Sequence, residues 1–531
     1  MTLAWPPTEL EDKLAQLIFV RIGSNLSPIR RASEDEGRIA ALIERLPIGG
    51  LLLFNGVWPD VRDTLKRLQA KSRWPLLVGS DIERGAGQQV HGLTLFPHAG
   101  AFGALGDRAE ERLAEVAVTT AREALATGIQ IAFAPVADVD TNPRNPIIAT
   151  RALGQTPERV SRLAAAFVRA AENAGLMTTP KHFPGHGDTH QDSHDAAPSL
   201  DRDLESLQQT ELPPFRETID AGASLVMTAH VSYGALDPSG APATLSAAIT
   251  ENLLRGELGF RGVACSDSLL MAGVRDRFEN EGALAEATLM AGVDVLLDVE
   301  DPVAVVEYLA QRVRSGDLPL ARIDEAIERV GVLKARTAKL LASGPKLIAC
   351  DGIESAAKLS KDVAAEAVRV EGDAAAALRR DEPLMAVLFK PFDLLSDPSE
   401  QPLADALRER FSDVRYFEFG PEPDERTLAA LRAALDEGRR LLVALIVKPA
   451  AWHAFGLNDA QRPIVDELVA GHEPILASLG VPTVLEDYPS APMRICTFSD
   501  VPVSQEALAD AILTPSPQAA PTSPCSPSRY L

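Results

Sequence analysis

Short apolar runs alternate with longer amphipathic segments between residues 14 and 297, and this alternation limits the possible folds more than any other feature. A run of strand length followed by a helical segment, repeated along a chain, is typical of parallel strands joined by crossover helices. Helical patterns include 109–127, 158–174 and 203–221. Eight runs have the length and composition of buried strands: 14–22, 50–54, 75–80, 129–135, 177–182, 224–230, 263–267 and 293–297.

Eight strands alternating with helices fit a closed (β/α)8 barrel, although an open doubly wound sheet has the same local pattern. The polar residues near the strand ends favour the barrel, because barrel enzymes gather their chemistry at the carboxyl ends of different strands. Six such residues lie at or just beyond the end of a predicted strand: Asp81, Asp138, Lys181, His182, His230 and Asp267.

Histidine is concentrated in the segment 181–194, which holds four of the nine histidines of the chain. Pro184 and Gly187 break regular structure there, so these imidazoles cannot all pack in a regular core. Histidines at a defined spacing on a surface segment are more typical of a functional site than of a packed core. We expect Lys181 and His182 at the end of a strand, facing a pocket.

The second half of this segment, 188–194, is expected to form a mobile flap above the pocket. It contains Asp192 and His194 in an Asp-Ser-His sequence. The carboxylate can accept a hydrogen bond from one ring nitrogen, which fixes the tautomer of the histidine and raises its basicity. The other ring nitrogen is then available for proton transfer.

A metal site is the main alternative for the histidines, which recur every four residues. On a helix this spacing would place ligands on one face, but proline and glycine make a helix unfavourable here. The chain has neither a His-Glu-X-X-His pattern nor paired cysteines in this region. We therefore predict no metal and no cofactor. The four histidines are His182, His186, His190 and His194.

A second candidate for chemistry is Asp267, in the sequence Ser-Asp-Ser after the apolar run 263–265. An aspartate directly after a strand is often only the N-cap of the next helix. A catalytic role gains weight if the preceding strands form a barrel whose carboxyl ends converge.

Several long motifs in this order resemble glycoside hydrolase family 3, and within it the β-N-acetylhexosaminidase branch. The central motif is Lys-His-Phe-Pro-Gly-His-Gly-Asp-Thr at 181–189, followed by Asp-Ser-His at 192–194 and Ser-Asp at 266–267. The resemblance covers essentially 14–342. Supporting stretches are 128–140, 150–154 and 227–230.

The resemblance implies that Asp267 is the nucleophile and that His194, oriented by Asp192, is the general acid/base. Retention of anomeric configuration would follow from such a two-step scheme. It also implies that charged groups hold the hydroxyl and N-acetyl groups of the sugar, which suits the strength of hydrogen bonds to ionised partners. For His230, a hydrogen-bonded residue of the pocket wall and a direct substrate contact are equally favoured. The sugar-holding residues would be Asp81, Arg151, Lys181 and His182.

One position departs from the family pattern. Members usually carry an arginine that contacts the sugar eight residues after the aspartate that corresponds to Asp81, and this chain has Gln89 there. Glutamine can hydrogen-bond a hydroxyl group but brings no charge. Substrate preference at this end of the sugar therefore stays open, with Arg84 as a possible replacement.

Composition bears on partners and on the compartment. The net charge of −23, from 52 basic and 75 acidic residues, argues against nucleic acid and membrane partners. Four scattered cysteines indicate no disulfide framework. The amino terminus has no signal-peptide pattern and no run reaches membrane-spanning length, so we expect a cytoplasmic protein. The oligomeric state is not indicated.

A second α/β pattern follows the barrel and predicts a smaller flavodoxin-like sandwich domain. It resembles the carboxyl-terminal domain of the family, and we expect a structural or oligomerisation role for it. The predicted domains are a catalytic barrel at 1–343, a linker with a helix at 344–380, the sandwich at 381–514 and a disordered tail at 515–531.

The resemblance implies a retaining exo-β-N-acetylglucosaminidase that acts on cell-wall or chitin-derived oligosaccharides or glycopeptides. A phosphorylase of the same branch, in which phosphate replaces water, is one alternative. A catalytically silent sugar-binding protein is another, but binding alone needs no acid/base pair. A β-glucosidase is less favoured, because in that branch the acid/base comes from elsewhere.

Overall fold

The computed structural model describes residues 5–189, 198–200, 202–343, 350–391, 400–449 and 455–514. The chain divides into two compact units. The first comprises Met1–Ala367 with Lys448–Gly456, and the second comprises Val368–Val447 with Leu457–Leu531.

The first unit is built on eight parallel strands, numbered β1 to β8 in chain order. Their spatial order is β5-β4-β3-β2-β1-β8-β7-β6. Hydrogen bonds from the Phe183 amide to the Met227 carbonyl and from the Ala229 amide to the Phe183 carbonyl, both 2.8 Å, join β5 to β6. The predicted closed barrel is thus confirmed. The strands are Ile18–Ile22, Gly50–Leu53, Leu77–Ser80, Ile131–Ala132, Met177–Thr178, Leu225–Met227, Val263–Ser268 and Val295–Leu297.

Helices connect these strands, and local signals in the sequence set their limits. Pro157–Asn173 begins after Thr156, whose hydroxyl accepts from the Arg159 amide, and ends before Gly175. Gly128, with a φ of 102°, ends the preceding long helix. The main helices are Leu10–Ala15, Glu36–Arg45, Asp60–Lys71, Ala109–Thr127, Pro157–Asn173, Leu212–Asp220, Glu281–Met290, Pro302–Ser315, Leu320–Ser343 and Cys350–Ala367.

The bounds of all eight predicted strands differ from those observed, mostly at their ends, and two predicted elements of the barrel also contain another kind of structure. The run 14–22 contains the end of the helix Leu10–Ala15 before β1 begins at Ile18, because an apolar run can be either the buried face of a helix or a strand. The predicted helix 203–221 is interrupted by a π-helical turn at Leu207–Glu211. A second π-helical segment is Ala248–Glu257.

A buried charge cluster lies at the amino end of the barrel strands. Asp294, just before β8, is fully buried. Its carboxylate lies 2.6 Å from an Arg255 nitrogen, 2.8 Å from one of Arg322 and 2.9 Å from one of Arg329. It also accepts from the Ala264 amide of β7 at 3.0 Å. A buried carboxylate with this many donors ties two strands to two helices.

The second unit contains a six-stranded sheet, β9 to β14, in the order β9-β14-β13-β12-β10-β11. The last five strands are parallel and have the flavodoxin-like order, as predicted. β9 pairs antiparallel with β14 and was not predicted, because its largely exposed Arg-Val-Glu-Gly sequence has no apolar pattern. The strands are Arg369–Gly372, Leu384–Phe389, Val414–Phe419, Arg440–Leu445, Ile475–Ser478 and Met493–Cys496. The helices are Pro402–Arg410, Glu425–Leu435, Arg462–His472 and Pro502–Ala511.

No helix within the described part of the chain is both long enough and apolar enough to cross a membrane. Within the sequence predicted as a linker, 344–380, the helix Cys350–Ala367 belongs to the first unit and β9 to the second. The core of each unit is formed by apolar side chains of its own strands and helices, which are almost completely buried.

Candidate active site

Polar side chains converge at the carboxyl ends of the barrel strands. Lys181, which follows β5, has a side chain that is only 3% exposed. Its ammonium nitrogen lies 2.8 Å from a carboxylate oxygen of Asp81 and 2.8 Å from one of Glu83, both beyond the end of β3. Burial works to lower the pKa of Lys181, but the two carboxylates outweigh it and raise that pKa. The lysine is therefore a fixed cation.

Glu83 also binds Arg151, so that one carboxylate holds two cations. The guanidinium donates to both oxygens of Glu83, over 3.1 and 2.8 Å, and to the Ile147 carbonyl over 2.9 Å. Burial alone would raise the pKa of Glu83, but Arg151 and Lys181 hold it well below its usual value. Glu83, which was not assigned a role from the sequence, thus joins Arg151 to Lys181. Lys181 in turn binds Asp81.

Asp138, beyond β4, organises the turn that carries His182 and His186. This fully buried carboxylate accepts from the His186 amide at 2.7 Å and lies 2.7 Å from Nδ1 of His182. Since a carboxylate only accepts, Nδ1 of His182 carries the proton. Nε2 of His182 is then directed toward Arg151, whose nearest guanidinium nitrogen is 3.5 Å away.

His186 is oriented by its neighbours in the same loop. Its Nδ1 lies 2.7 Å from the hydroxyl of Thr189, and Asn145 donates to its carbonyl over 2.9 Å. Burial, with a smaller effect of His182, lowers the pKa of His186 to about 4. The ring is therefore neutral near pH 7. A Cβ atom on Gly187 would lie 1.7 Å from the Val139 carbonyl oxygen, so this loop packs directly on the segment after β4.

Asp267 is the second-to-last residue of the strand β7 and lies close enough to His182, His230 and Lys181 to interact with them electrostatically. One of its carboxylate oxygens accepts from the Ser268 amide at 2.7 Å. Burial would raise the pKa of Asp267, but His182, His230, that amide and Lys181 together lower it to about 2. The carboxylate is therefore ionised at any pH at which the protein is expected to work.

His230, beyond β6, forms part of the wall beside Asp267. Its Nε2 lies 3.0 Å from the Ser268 carbonyl, which can only accept, so Nε2 carries a proton. Its Nδ1 lies 2.8 Å from the hydroxyl of Thr244. The ring is 1% exposed and both nitrogens contact protein groups, which favours the pocket-wall interpretation over direct substrate contact.

Gln89 is 7% exposed, and its side-chain oxygen accepts from the amide of Asn25 at 2.8 Å. This bond leaves its NH2 group as the part of the side chain that can donate to a ligand. The two residues assigned to proton transfer, Asp192 and His194, lie outside the described residues.

Two buried acids near the site were not singled out from the sequence. Glu211 is fully buried, neither carboxyl oxygen has a hydrogen-bond partner among the described residues, and a Cβ atom on Gly185 would lie 2.5 Å from one of them. Asp298, beyond β8, is 1% exposed and binds Arg21. Glu211 lies in an ordinary polar stretch, so only tertiary structure reveals it, whereas Asp298 directly follows the predicted strand 293–297 and the strand-end pattern could have identified it. Among the described residues, no three or more His, Cys, Asp or Glu side chains form a group that could hold a metal ion.

Comparisons with known proteins find a matching family, relatives and a similar solved structure. The profile of the glycosyl hydrolase family 3 N-terminal domain matches residues 9–333. β-Hexosaminidase A of Pseudoalteromonas piscicida is 34% identical over 339 residues, which cover 57% of this chain and just over half, 56%, of that protein. The β-hexosaminidase of Idiomarina loihiensis is 34% identical over 323 residues, covering 60% of this chain and 92% of that protein. The structure of a family 3 β-N-acetylglucosaminidase from Paenibacillus sp. strain FPU-7 is 30% identical, with a TM-score of 0.82 over 96% of this chain and 97% of that one.

Proposed function

The chain belongs to glycosyl hydrolase family 3, and from this premise we propose that it is a retaining exo-acting β-N-acetylglucosaminidase. Its substrates would be cell-wall or chitin-derived oligosaccharides that end in N-acetylglucosamine. The observation that carries the proposal is the ionised carboxylate of Asp267 at the mouth of the barrel, beside fixed cations and oriented imidazoles. The names of the similar proteins support the N-acetyl sugar.

In the first step, an oxygen of Asp267 would attack the anomeric carbon as the bond to the leaving oxygen breaks. His194, oriented by Asp192, would protonate that oxygen. In the second step, the same histidine would take a proton from water, which attacks the anomeric carbon and releases Asp267. Two inversions give net retention. A nucleophile whose pKa is about 2 is a good leaving group in the second step, because it departs as a stable carboxylate.

The cluster of Lys181, Asp81, Glu83 and Arg151 would bind the sugar hydroxyl groups. Its two cations and two anions hold one another at hydrogen-bond distance, so each side chain has a fixed direction before substrate arrives. Side chains that are already fixed lose less conformational entropy when a substrate binds than mobile side chains do. Gln89 would add a neutral donor where relatives carry a charge.

The first test is the initial rate of nitrophenol release from the β-N-acetylglucosaminide, with and without phosphate, beside the corresponding β-glucoside. We expect turnover of the N-acetyl sugar that does not depend on phosphate. A large stimulation by phosphate would instead identify a phosphorylase. If neither glycoside is cleaved, the protein is a sugar-binding protein or has another sugar specificity, and the proposal is wrong.

Two variants test the assigned roles in that assay. We predict that Asp267→Ala lowers kcat by about 10⁴-fold or more for every substrate, because no other group can form the intermediate. His194→Ala is expected to lower kcat/KM by roughly 10²- to 10⁴-fold for poor leaving groups and much less for good ones, which need little protonation. Asp107→Ala, the same substitution as Asp267→Ala at an exposed position, should have no effect. Equal losses with good and poor leaving groups would exclude His194 as the acid.

A further inference from the structure

The strand that carries Asp267 contains a β-bulge. Cys265 of β7 is paired with Val295 of β8, and Ser268 with Leu297, so that three steps along β7 match two along β8. The Leu297 amide donates to the hydroxyl of Ser266, over 3.0 Å, where a regular ladder would provide a carbonyl. A bulge bends a strand and redirects a side chain. The residues between the two paired positions are Ser266 and Asp267.

Ser268 follows the bulge and uses all of its polar groups around the site. Its amide donates to Asp267 and its carbonyl accepts from His230. Its hydroxyl donates to a carboxylate oxygen of Asp298 over 2.7 Å. Ser268 therefore contacts both the carboxylate of Asp267 and the ring of His230.

Asp298 is held on its other side by Arg21 of β1. The guanidinium donates to both carboxylate oxygens, with an Nε to Oδ1 distance of 2.9 Å, and lies 4.8 Å from the centre of the Phe54 ring. Asp298 itself has a φ of 66°, in the left-handed region that aspartate adopts at a cost. A buried aspartate persists in this conformation because Arg21 and Ser268 both bind it.

We propose that Ser268 and Asp298, held by Arg21, are positioning residues that fix the bulge in β7 and the direction of the Asp267 carboxylate. The proposal rests on the proposed function, in which Asp267 is the nucleophile. These three residues form a chain of contacts from β1 through β8 to β7, and none of them is assigned to sugar binding or proton transfer.

The barrel also provides a matched control at its opposite end. Ser224, before β6, donates its hydroxyl to Glu172 over 2.9 Å, and Glu172 binds Arg336 at 2.8 Å. This is the same combination of serine, carboxylate and arginine, placed at the amino end of the strands. Removing either hydroxyl removes one hydrogen bond to an arginine-bound carboxylate, and removing that of Ser224 also removes a bond that it accepts from Arg336, but only Ser268 contacts Asp267.

The test compares Ser268→Ala, Ser268→Thr, Asp298→Asn and Ser224→Ala in the full-length protein, by kcat, KM and Tm. For Ser268→Ala we expect kcat to fall by about 10- to 100-fold while KM changes by less than about threefold, because misplacement of the attacking atom affects the transition state more than binding. Asp298→Asn should behave similarly. Ser268→Thr, which keeps the hydroxyl, should recover most of the rate, and Ser224→Ala should lower Tm without changing kcat.

Two results would overturn the proposal. One is an unchanged kcat in Ser268→Ala, and the other is an equal fall in Ser224→Ala, which would indicate a general loss of stability. The rates are measured on whichever glycoside the wild-type protein cleaves best. A wild-type protein inactive on every glycoside removes the proposed function and this inference together, whereas an active wild type with a fully active Ser268→Ala removes this inference alone.

Discussion

Glu211 shows how far burial can change a single side chain. Its carboxyl group has no hydrogen-bond partner among the described residues, and the charged groups that affect it are Asp138, Arg202 and Asp188. Burial, followed by repulsion from Asp138, raises the pKa of Glu211 to about 8. The group is therefore a neutral acid near pH 7, in contact with Gly185 of the histidine-bearing turn.

This pKa predicts a pH-dependent cost in stability. The folded protein keeps the Glu211 proton up to about pH 8, whereas the unfolded chain loses it near the ordinary glutamate pKa. The contribution of Glu211 to folding thus becomes less favourable as pH rises from about 5 to 8, by about 1.4 kcal/mol per pH unit. Glu211→Gln cannot titrate, so its Tm relative to wild type should rise across this window. Glu217→Gln, an exposed change on the next helical turn, should show no such trend, and parallel curves for both variants would contradict the assigned pKa.

Residue-level prediction from the sequence succeeded where position along a strand was enough. Asp81, Lys181, His182, His230 and Asp267 were expected at strand ends, and the structure places each of them there. Glu83 and Glu211 were not expected in the site, because their importance depends on which side chains meet them across the barrel, whereas Asp298 directly follows the predicted strand 293–297 and could have been identified from that position. An acidic residue in a polar stretch of sequence is usually interpreted as solvent-exposed.

At the scale of elements, the loop after β5 depends on how closely it packs against the segment after β4. Gly187 allows that approach, since any Cβ atom there would overlap the Val139 carbonyl. The same loop carries His186 and Thr189, whose contacts with Asn145 fix its conformation. The spacing between the two segments therefore sets the position of the turn at His182.

Gly187→Ala should separate these segments and displace the turn. We predict a fall in kcat/KM of about 10²-fold, because a displacement near 1 Å of catalytic or binding groups has an effect of this size. The barrel itself should stay folded. Gly37→Ala is a suitable control, because no atom lies within 4 Å of the added group, and it should raise stability slightly in its helix. Full activity in Gly187→Ala would show that the loop tolerates the shift.

The number and order of the elements were predictable from the sequence, but several of their limits were not. Alternation of apolar runs with helical patterns identified all eight barrel strands. The pattern could not show that 14–17 precede β1, nor that β9 exists, since the first is an apolar run on a helix and the second an exposed edge strand. No pattern in the sequence indicates the bulge in β7 either, because a bulge is a property of the pairing between two strands.

At the scale of the whole barrel, the two ends carry different kinds of charge networks. At the carboxyl end, charged groups line the mouth of the barrel, where substrate is expected to bind. The proposed reaction restricts which residue types can stand at these positions. At the amino end, the cluster around Asp294 ties strands to helices. Barrel enzymes generally divide catalysis and stability between the two ends in this manner.

This division predicts opposite effects of charge removal. Asp294→Ala leaves three arginines without their shared buried partner and should lower the free energy of unfolding by about 3–5 kcal/mol. Its kcat/KM at 25 °C should be unchanged as long as the protein is folded. Asp324→Ala removes the partly exposed pair with Lys13 and should cost at most about 1 kcal/mol. A large loss of activity in folded Asp294→Ala would show that the ends are coupled.

The bulge in β7 carries a consequence for how such a chain can evolve. Deleting one residue there would remove the unpaired extra residue and allow β7 an unbroken ladder with β8. Side chains beyond the deletion would exchange faces, and Asp267 would no longer be directed to the mouth. Regular pairing of β7 with β8 and the direction of Asp267 are therefore competing demands on the same few residues.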